Sequence, residues 1–172
     1  MSSWDSSLWT RTFEELLDDD SVFDYQDAWT LNFNYNLTDE ITQEERRRGW
    51  KVFSPCARGK FLCQACNKTW SSARVTVLFR YRLRRDRGTV IMRPFGQACL
   101  NCNEDFYLPG FNEKEVTFVL TRLFTKIRKN CYGEVVDDGD RGPSYTRRSK
   151  PHEASLCEAC EQGICCQKEE QN

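Results

Sequence analysis

Leu8, Trp9, Phe13, Leu16 and Leu17 recur near helical spacing in "SSLWTRTFEELLD" and predict an amphipathic helix over 6–18, with Ser6 as its N-cap. "AWTLNF" (28–33) alternates and predicts a strand. "TDEITQEERRRGW" (38–50) predicts a short helix that starts at Thr38 and stops at Gly49. In "TWSSARVTVLFRYRL" (69–83), β-branched and aromatic residues alternate with arginine. That period of two predicts a strand with Val75, Val77, Phe79 and Tyr81 facing inward. "RRDRG" (84–88) reads as a turn, and "TVIMRPFGQACLNC" (89–102) as the returning strand, with Pro94 at an edge position.

The clearest helix spans about 112–131. Asn112 caps it, with Glu115 three residues on. Val116, Val119, Leu120, Leu123, Phe124 and Ile127 make one apolar stripe, and Gly133 suits a left-handed stop. The polar, Gly-containing stretch at about 134–150 reads as a flexible loop.

With 172 residues, 13% of them aromatic, the chain is expected to form a single domain over 1–172 with its own core. No apolar run approaches the roughly 18–20 residues that span a bilayer. "MSSWDSSLW" lacks the basic and apolar regions of a secretory signal, so the expected setting is reducing and cytosolic. The formal charge of −1 conceals a segregation. Residues 1–45 carry twelve acids against Arg11, and residues 46–99 carry fourteen bases against Asp86. Such asymmetry points to an anionic partner, to mutual association of the two segments, or to two solvated faces of one domain.

Ten cysteines change the picture most. Six form three C-x-x-C pairs: Cys63/Cys66, Cys99/Cys102 and Cys157/Cys160. A redox couple would open a helix in a βαβ unit, and none of the three has that context. Zinc takes four N or S ligands in a tetrahedron, and a two-thiolate knuckle supplies half of them. A strand follows Cys66 and another precedes Cys99, so a hairpin turning at 84–88 brings both knuckles to its open end. Cys63, Cys66, Cys99 and Cys102 are therefore the expected first site, closed to substrate. For a second site, "HEASLCEACEQGIC" offers His152, Cys157 and Cys160, with Cys165 or Cys166 to complete it. Cys131 and Cys56 are remoter alternatives, and a cross-braced pairing of the third knuckle with an earlier one stays open. The expected metal content is two Zn²⁺. The fold class is α+β: a small zinc-ribbon-like antiparallel sheet domain with CxxC knuckles, flanked by the two helices. Its finger core spans about 49–166.

The stretches "GWKVF", "GKFLCQACNKTWSSARVTVLF", "TVIMRPFGQACLNC", "CYGE" and "PHEASLCEACEQGIC" resemble the receptor-transporting proteins, of the three-CxxC zinc-finger type. The resemblance runs from about residue 8 to residue 166 and includes the N-terminal "LWTRTFEELL". It implies zinc ligation by Cys63, Cys66, Cys99, Cys102, His152, Cys157 and Cys160, with Cys165 matching only some relatives. It also implies an accessory protein that binds olfactory- or taste-type seven-helix receptors and promotes their delivery to the cell surface. Family members are often membrane-anchored. With no spanning segment in this sequence, the expected place is cytoplasmic, peripheral to the ER or plasma membrane.

Arg80, Arg82, Arg84, Arg85 and Arg87 form a basic hairpin suited to acidic receptor segments or anionic lipid headgroups. The alternative is RNA binding, since arginine interleaved with aromatics also serves single strands; the resemblance implies that such a protein would be interferon-linked and antiviral. That reading weakens if Phe79 and Tyr81 point inward. No nucleophile motif or paired-carboxylate context suggests an enzyme, and no small-molecule substrate is expected.

Overall fold

The computed structural model describes residues 3–103, 105–135 and 154–164. Within them the α+β class appears as one mixed sheet, a small two-stranded sheet and four helices packed around them.

The first helix, α1 (Ser6–Leu17), is capped by Asp5 rather than Ser6. The Asp5 carboxylate accepts the Ser7 backbone N–H at 3.0 Å, one of the donors a helix start leaves unpaired. Strand β1 (Ala28–Phe33) has the expected bounds. The second helix, α2 (Gln43–Arg47), starts later than expected. Thr42 and Glu45 make the reciprocal capping box that Thr38 cannot make with its own third neighbour, Ile41.

Strands β2 (Lys51–Phe53) and β3 (Cys56–Leu62) run along one side of the long β4 (Thr69–Arg84). Neither was expected. β3 carries Arg58, Gly59 and Lys60, poor strand formers, and takes its form from pairing with β4. On the other side, β4 pairs with β5 (Arg87–Pro94) across a two-residue turn, Arg85–Asp86, in which Arg85 adopts φ +59°. β1 then joins β5 in parallel, so the sheet is mixed, in the order β1-β5-β4-β2 with β3 also on β4. Pro94 lies beyond Met92, where β1 ends, so its missing N–H interrupts no ladder on that side. The short β6 (Gln97–Ala98) and β7 (Phe106–Tyr107) form a separate antiparallel pair.

Helix α3 (Glu113–Tyr132) begins at Asn112, whose side chain accepts the Glu115 N–H at 2.7 Å, and stops at Gly133 with φ +70°. Its apolar stripe is the expected one and is buried throughout. α1 and α3 cover one face of the sheet. Phe13 stacks on Phe124, and Trp9 packs edge-on to Phe111 and against Phe79. Val75, Val77, Phe79 and Tyr81 point into this core, as the alternation predicts. A second, smaller core lies among Leu37, Leu78, Phe95, Cys157, Ala159 and Ile164. β4 is therefore buried on both faces from Val75 to Phe79, where only Thr76 interrupts an apolar run. The remaining described chain is a 3-10 turn (Ala154–Leu156) and a one-turn helix, α4 (Glu158–Glu161).

Contact between the acidic and basic segments is local. Glu45 of α2 pairs with Arg80, and Glu44 with Arg48 at 2.7 Å. Glu14, Glu15, Asp18, Asp19 and Asp20 are exposed and make no ion pair among the described residues. The loop at 134–150 lies outside the described residues beyond Val135. None of the described helices is long and apolar enough to cross a membrane.

Candidate functional site

Two similar turns build the cysteine centre. The first closes the β3–β4 hairpin: Leu62 pairs with Thr69, and Cys63 to Lys68 lie between. Asn67 adopts φ +61° and donates its N–H to the Cys63 carbonyl at 2.8 Å. The second follows β6. Asn103 adopts φ +49° and donates to the Cys99 carbonyl at 2.7 Å. In both, the asparagine follows the second cysteine, in "CQACN" and "CLNCN". Asparagine tolerates the left-handed region that turns the chain back. This repeated C-x-x-C-N signal was present in the sequence, and the two asparagines were missed.

The turns bring Cys63, Cys66, Cys99 and Cys102 together with all four Sγ atoms within 4.8 Å of one another. The separations Cys63–Cys102 and Cys66–Cys99 are both 3.7 Å. Four thiolates at the usual Zn–S length stand about 3.8 Å apart on a tetrahedron's edges. The donor set and its spacing therefore fit Zn²⁺. Electrostatics agree. Burial opposes ionisation of Cys63, yet the Cys66 and Ala65 backbone N–H groups, the Cys66 thiol and the Tyr107 hydroxyl bring it down to about 6. Cys102, bonded to Cys66 and Cys63, is pushed up to about 12. Without a cation the cluster cannot hold four negative charges, and a divalent ion supplies the missing compensation.

The residues around the knuckles explain the sequence motifs. Trp70 stacks on Phe61 with centroids 5.2 Å apart and donates its indole N–H to Gln97 Oε1 at 3.1 Å. Gln97 in turn donates to Ser72 Oγ at 2.9 Å, so the two arms are tied by side chains. A Cβ on Gly96 would stand 2.5 Å from the Tyr107 carbonyl oxygen, which leaves room only for glycine.

The third pair is built differently. Cys157 is buried and its Sγ accepts the Cys160 N–H at 3.4 Å, capping α4. Cys157 forms an antiparallel bridge with Gln97. Glu158 donates its N–H to the Gly96 carbonyl and accepts the Gly96 N–H on Oε1 at 2.9 Å. Buried Arg93 adds an ion pair to Glu158 at 3.8 Å and a bond to the Leu37 carbonyl. Among the described residues, Cys157 and Cys160 stand apart from the four-cysteine cluster, so the cross-braced alternative does not appear. Cys131, half-buried near the end of α3, and Cys56, which opens β3, do not join it either. His152, Cys165 and Cys166 lie outside the described residues.

The basic hairpin projects from the opposite end of β4. Arg84, Arg85 and Arg87 are exposed. Arg80 and Arg82 are half-buried because both lie over the Trp50 ring, at 5.2 and 4.5 Å. The Arg80 guanidinium beside Glu45 holds that carboxyl below its ordinary range.

A family model described as a zinc-binding domain, of the three-CxxC zinc-ribbon type, matches residues 56–163. The chain is 31% identical to receptor-transporting protein 3 of Mus musculus over 96% of its own length and 34% of that protein's. It is 32% identical to receptor-transporting protein 4 of Homo sapiens, covering 91% of this chain and 63% of the relative. Identity is also 32% with receptor-transporting protein 2 of Mus musculus, with coverage of 91% and 69%. The chain thus spans from a third to about two thirds of the length of these curated relatives. No solved structure matches it. The relatives are named as receptor-transporting proteins, not as enzymes. With the four-cysteine cluster, the knuckle motifs and these matches in agreement, the chain belongs to the receptor-transporting protein family and carries its zinc-binding domain.

Proposed function

We propose that this protein is a zinc-stabilised accessory protein that binds seven-helix receptors of the olfactory or taste type and promotes their delivery to the cell surface. Family membership carries the reading: the match to receptor-transporting proteins covers nearly the whole chain. The architecture is compatible with a binding role. Zinc at Cys63, Cys66, Cys99 and Cys102 would close the open end of the sheet without offering a coordination position to a substrate. A second zinc would take Cys157 and Cys160 with His152 and Cys165. Residues 1–172 would act as one domain, with the finger core at about 49–166, working in the cytoplasm at the ER or plasma membrane.

The RNA-binding reading needs aromatic faces open to bases. Phe79 and Tyr81 are 0% and 1% exposed, so they offer none.

The test is charge reversal at Arg82, Arg84 and Arg85, with client-receptor surface staining in cells as the readout. Reduced delivery at unchanged zinc content supports the reading, because peripheral charges mainly set encounter and partner choice. Delivery unchanged by removal of the whole protein would sink it.

A further inference from the structure

The sequence places a cationic run in "RRRGW" (46–50) and another around the hairpin turn, thirty-odd residues apart. The fold makes them one surface. Glu45 pairs with Arg80, which pins α2 to the sheet. A Cβ on Gly49 would lie 3.9 Å from both the Arg82 Cβ and the Leu83 carbonyl oxygen, so the end of α2 runs alongside the hairpin. Arg46, Arg47, Arg84, Arg85 and Arg87 are exposed, and Arg82 lies between them over Trp50. None of these six makes an ion pair among the described residues.

That arrangement opposes folding on its own terms. Arg84 stands directly across from Arg87 in the ladder, and like charges in register repel. The nearby acids compensate little. Glu44 and Glu45 are engaged by Arg48 and Arg80. The Asp27 carboxylate, which accepts the Tyr132 hydroxyl, and Asp86 in the turn are left against six cations. Arg82, Arg84, Arg85, Asp86, Arg87 and Thr89 line a shallow open depression, and half-buried Trp50 lies beneath the Arg82 guanidinium.

We propose that this end of the sheet, the hairpin turn together with α2, is a docking surface for anionic phospholipid membranes. The inference rests on the proposed function, which takes the hairpin as a contact surface, and names its partner. Charge decides among partners. Cytoplasmic loops of membrane proteins carry an excess of lysine and arginine, so a cationic surface is repelled by a receptor's own loops. The anionic cytoplasmic leaflet attracts it. A single strand of RNA wants a groove lined with stacking faces. Here the arginines fan around a protruding turn, and Arg82 and Arg80 already occupy the Trp50 ring.

Flotation of the full zinc-loaded chain with receptor-free vesicles tests this, using phosphatidylcholine alone or doped with phosphatidylserine. Binding is expected only to the doped vesicles and should fall with salt. Each cation removed should weaken it about fivefold. Arg46→Ala with Arg47→Ala should therefore cost roughly 25-fold, and Arg84→Ala with Arg85→Ala and Arg87→Ala roughly a hundredfold. Zinc content and near-UV CD check folding, and the α2 pair is exposed and remote from both cores. Equal binding to neutral vesicles, no binding to either kind, or an α2 double variant indistinguishable from the parent would overturn the proposal. So would tighter binding to single-stranded RNA than to doped vesicles at the same salt. Receptor delivery unchanged by removal of the whole protein, with vesicle binding intact, would count against the proposed function alone.

Discussion

Cys157 faces Gln97 across an antiparallel bridge, two residues before Cys99 of the four-cysteine cluster. The third knuckle is therefore hung on the strand that enters the second. Two zinc ions per chain are expected, each contributing on the order of 10 kcal/mol to folding. Cys99→Ser should release zinc from the cluster and, through this bridge, loosen the third knuckle. Metal analysis should then show a loss of more than one equivalent. Retention of native near-UV CD after strong chelation would contradict the structural role of the metal.

Phe13 of α1 stacks on Phe124 of α3, and both are 0–1% exposed. Phe13→Ala removes a ring from a closed site between two helices. It should cost about 3–5 kcal/mol in denaturant unfolding. If residues 3–20 are cleaved rapidly in the intact protein, α1 is not docked and the expected cost disappears.

Gly88 lies flat beneath the Trp29 indole, and a Cβ there would stand 1.9 Å from the ring. Gly88→Ala must displace Trp29 or separate β1 from β5, because Trp29 and Gly88 are partners in that parallel ladder. A loss of about 1–3 kcal/mol or more is expected. Gly133→Ala is the control. Nothing lies within 4 Å of its added Cβ, and only the left-handed φ of +70° opposes it, so about 1 kcal/mol is expected. Equal losses at the two positions would count against the close approach.

Tyr132 shows how the acidic segment serves the fold. Its hydroxyl donates to Asp27 at 2.6 Å and accepts the Trp29 indole N–H at 3.0 Å. Burial first, and then the Asp27 bond, push its ionisation well above the ordinary tyrosine range. An unfolded tyrosine ionises near about pH 10. The folded value is the higher one. The group's contribution is therefore complete below about pH 10 and is lost as pH rises from there toward the folded value. Asp27→Asn removes the adjacent negative charge and should shift the tyrosinate absorbance transition to lower pH. A transition that stays where it was would show that the carboxylate does not hold this hydroxyl protonated.

Much of the site was legible because its signals are local. The stripe of α3, the alternation in β4 and the C-x-x-C spacing each repeat over a few residues, and their immediate context selects one physical reading for each. The meeting of Cys63, Cys66, Cys99 and Cys102 followed from a single hairpin. The details that fix it did not. The left-handed turns at Asn67 and Asn103 are written in the C-x-x-C-N repeat, yet they gain meaning only once two knuckles face each other. Gly96 is required by the Tyr107 carbonyl, which approaches from eleven residues away through the β6–β7 pair.

The sequence by itself determined the two main helices, the inward set of β4 and the pairing of the first two knuckles, because periodicity and short-range spacing suffice for these. Only the tertiary structure decided the rest. β3 has too little strand propensity to be seen without β4 beside it, and β1 joins β5 in parallel through a connection that no local pattern encodes. The second core forms because the third knuckle folds onto the face of the sheet opposite the helices, burying Leu78 and Phe95. The same long-range pairing brings Arg46 and Arg47 beside the hairpin turn. Charges far apart along a chain interact only where folding brings them close, because the Coulomb energy falls with their separation in space and not with their separation in sequence.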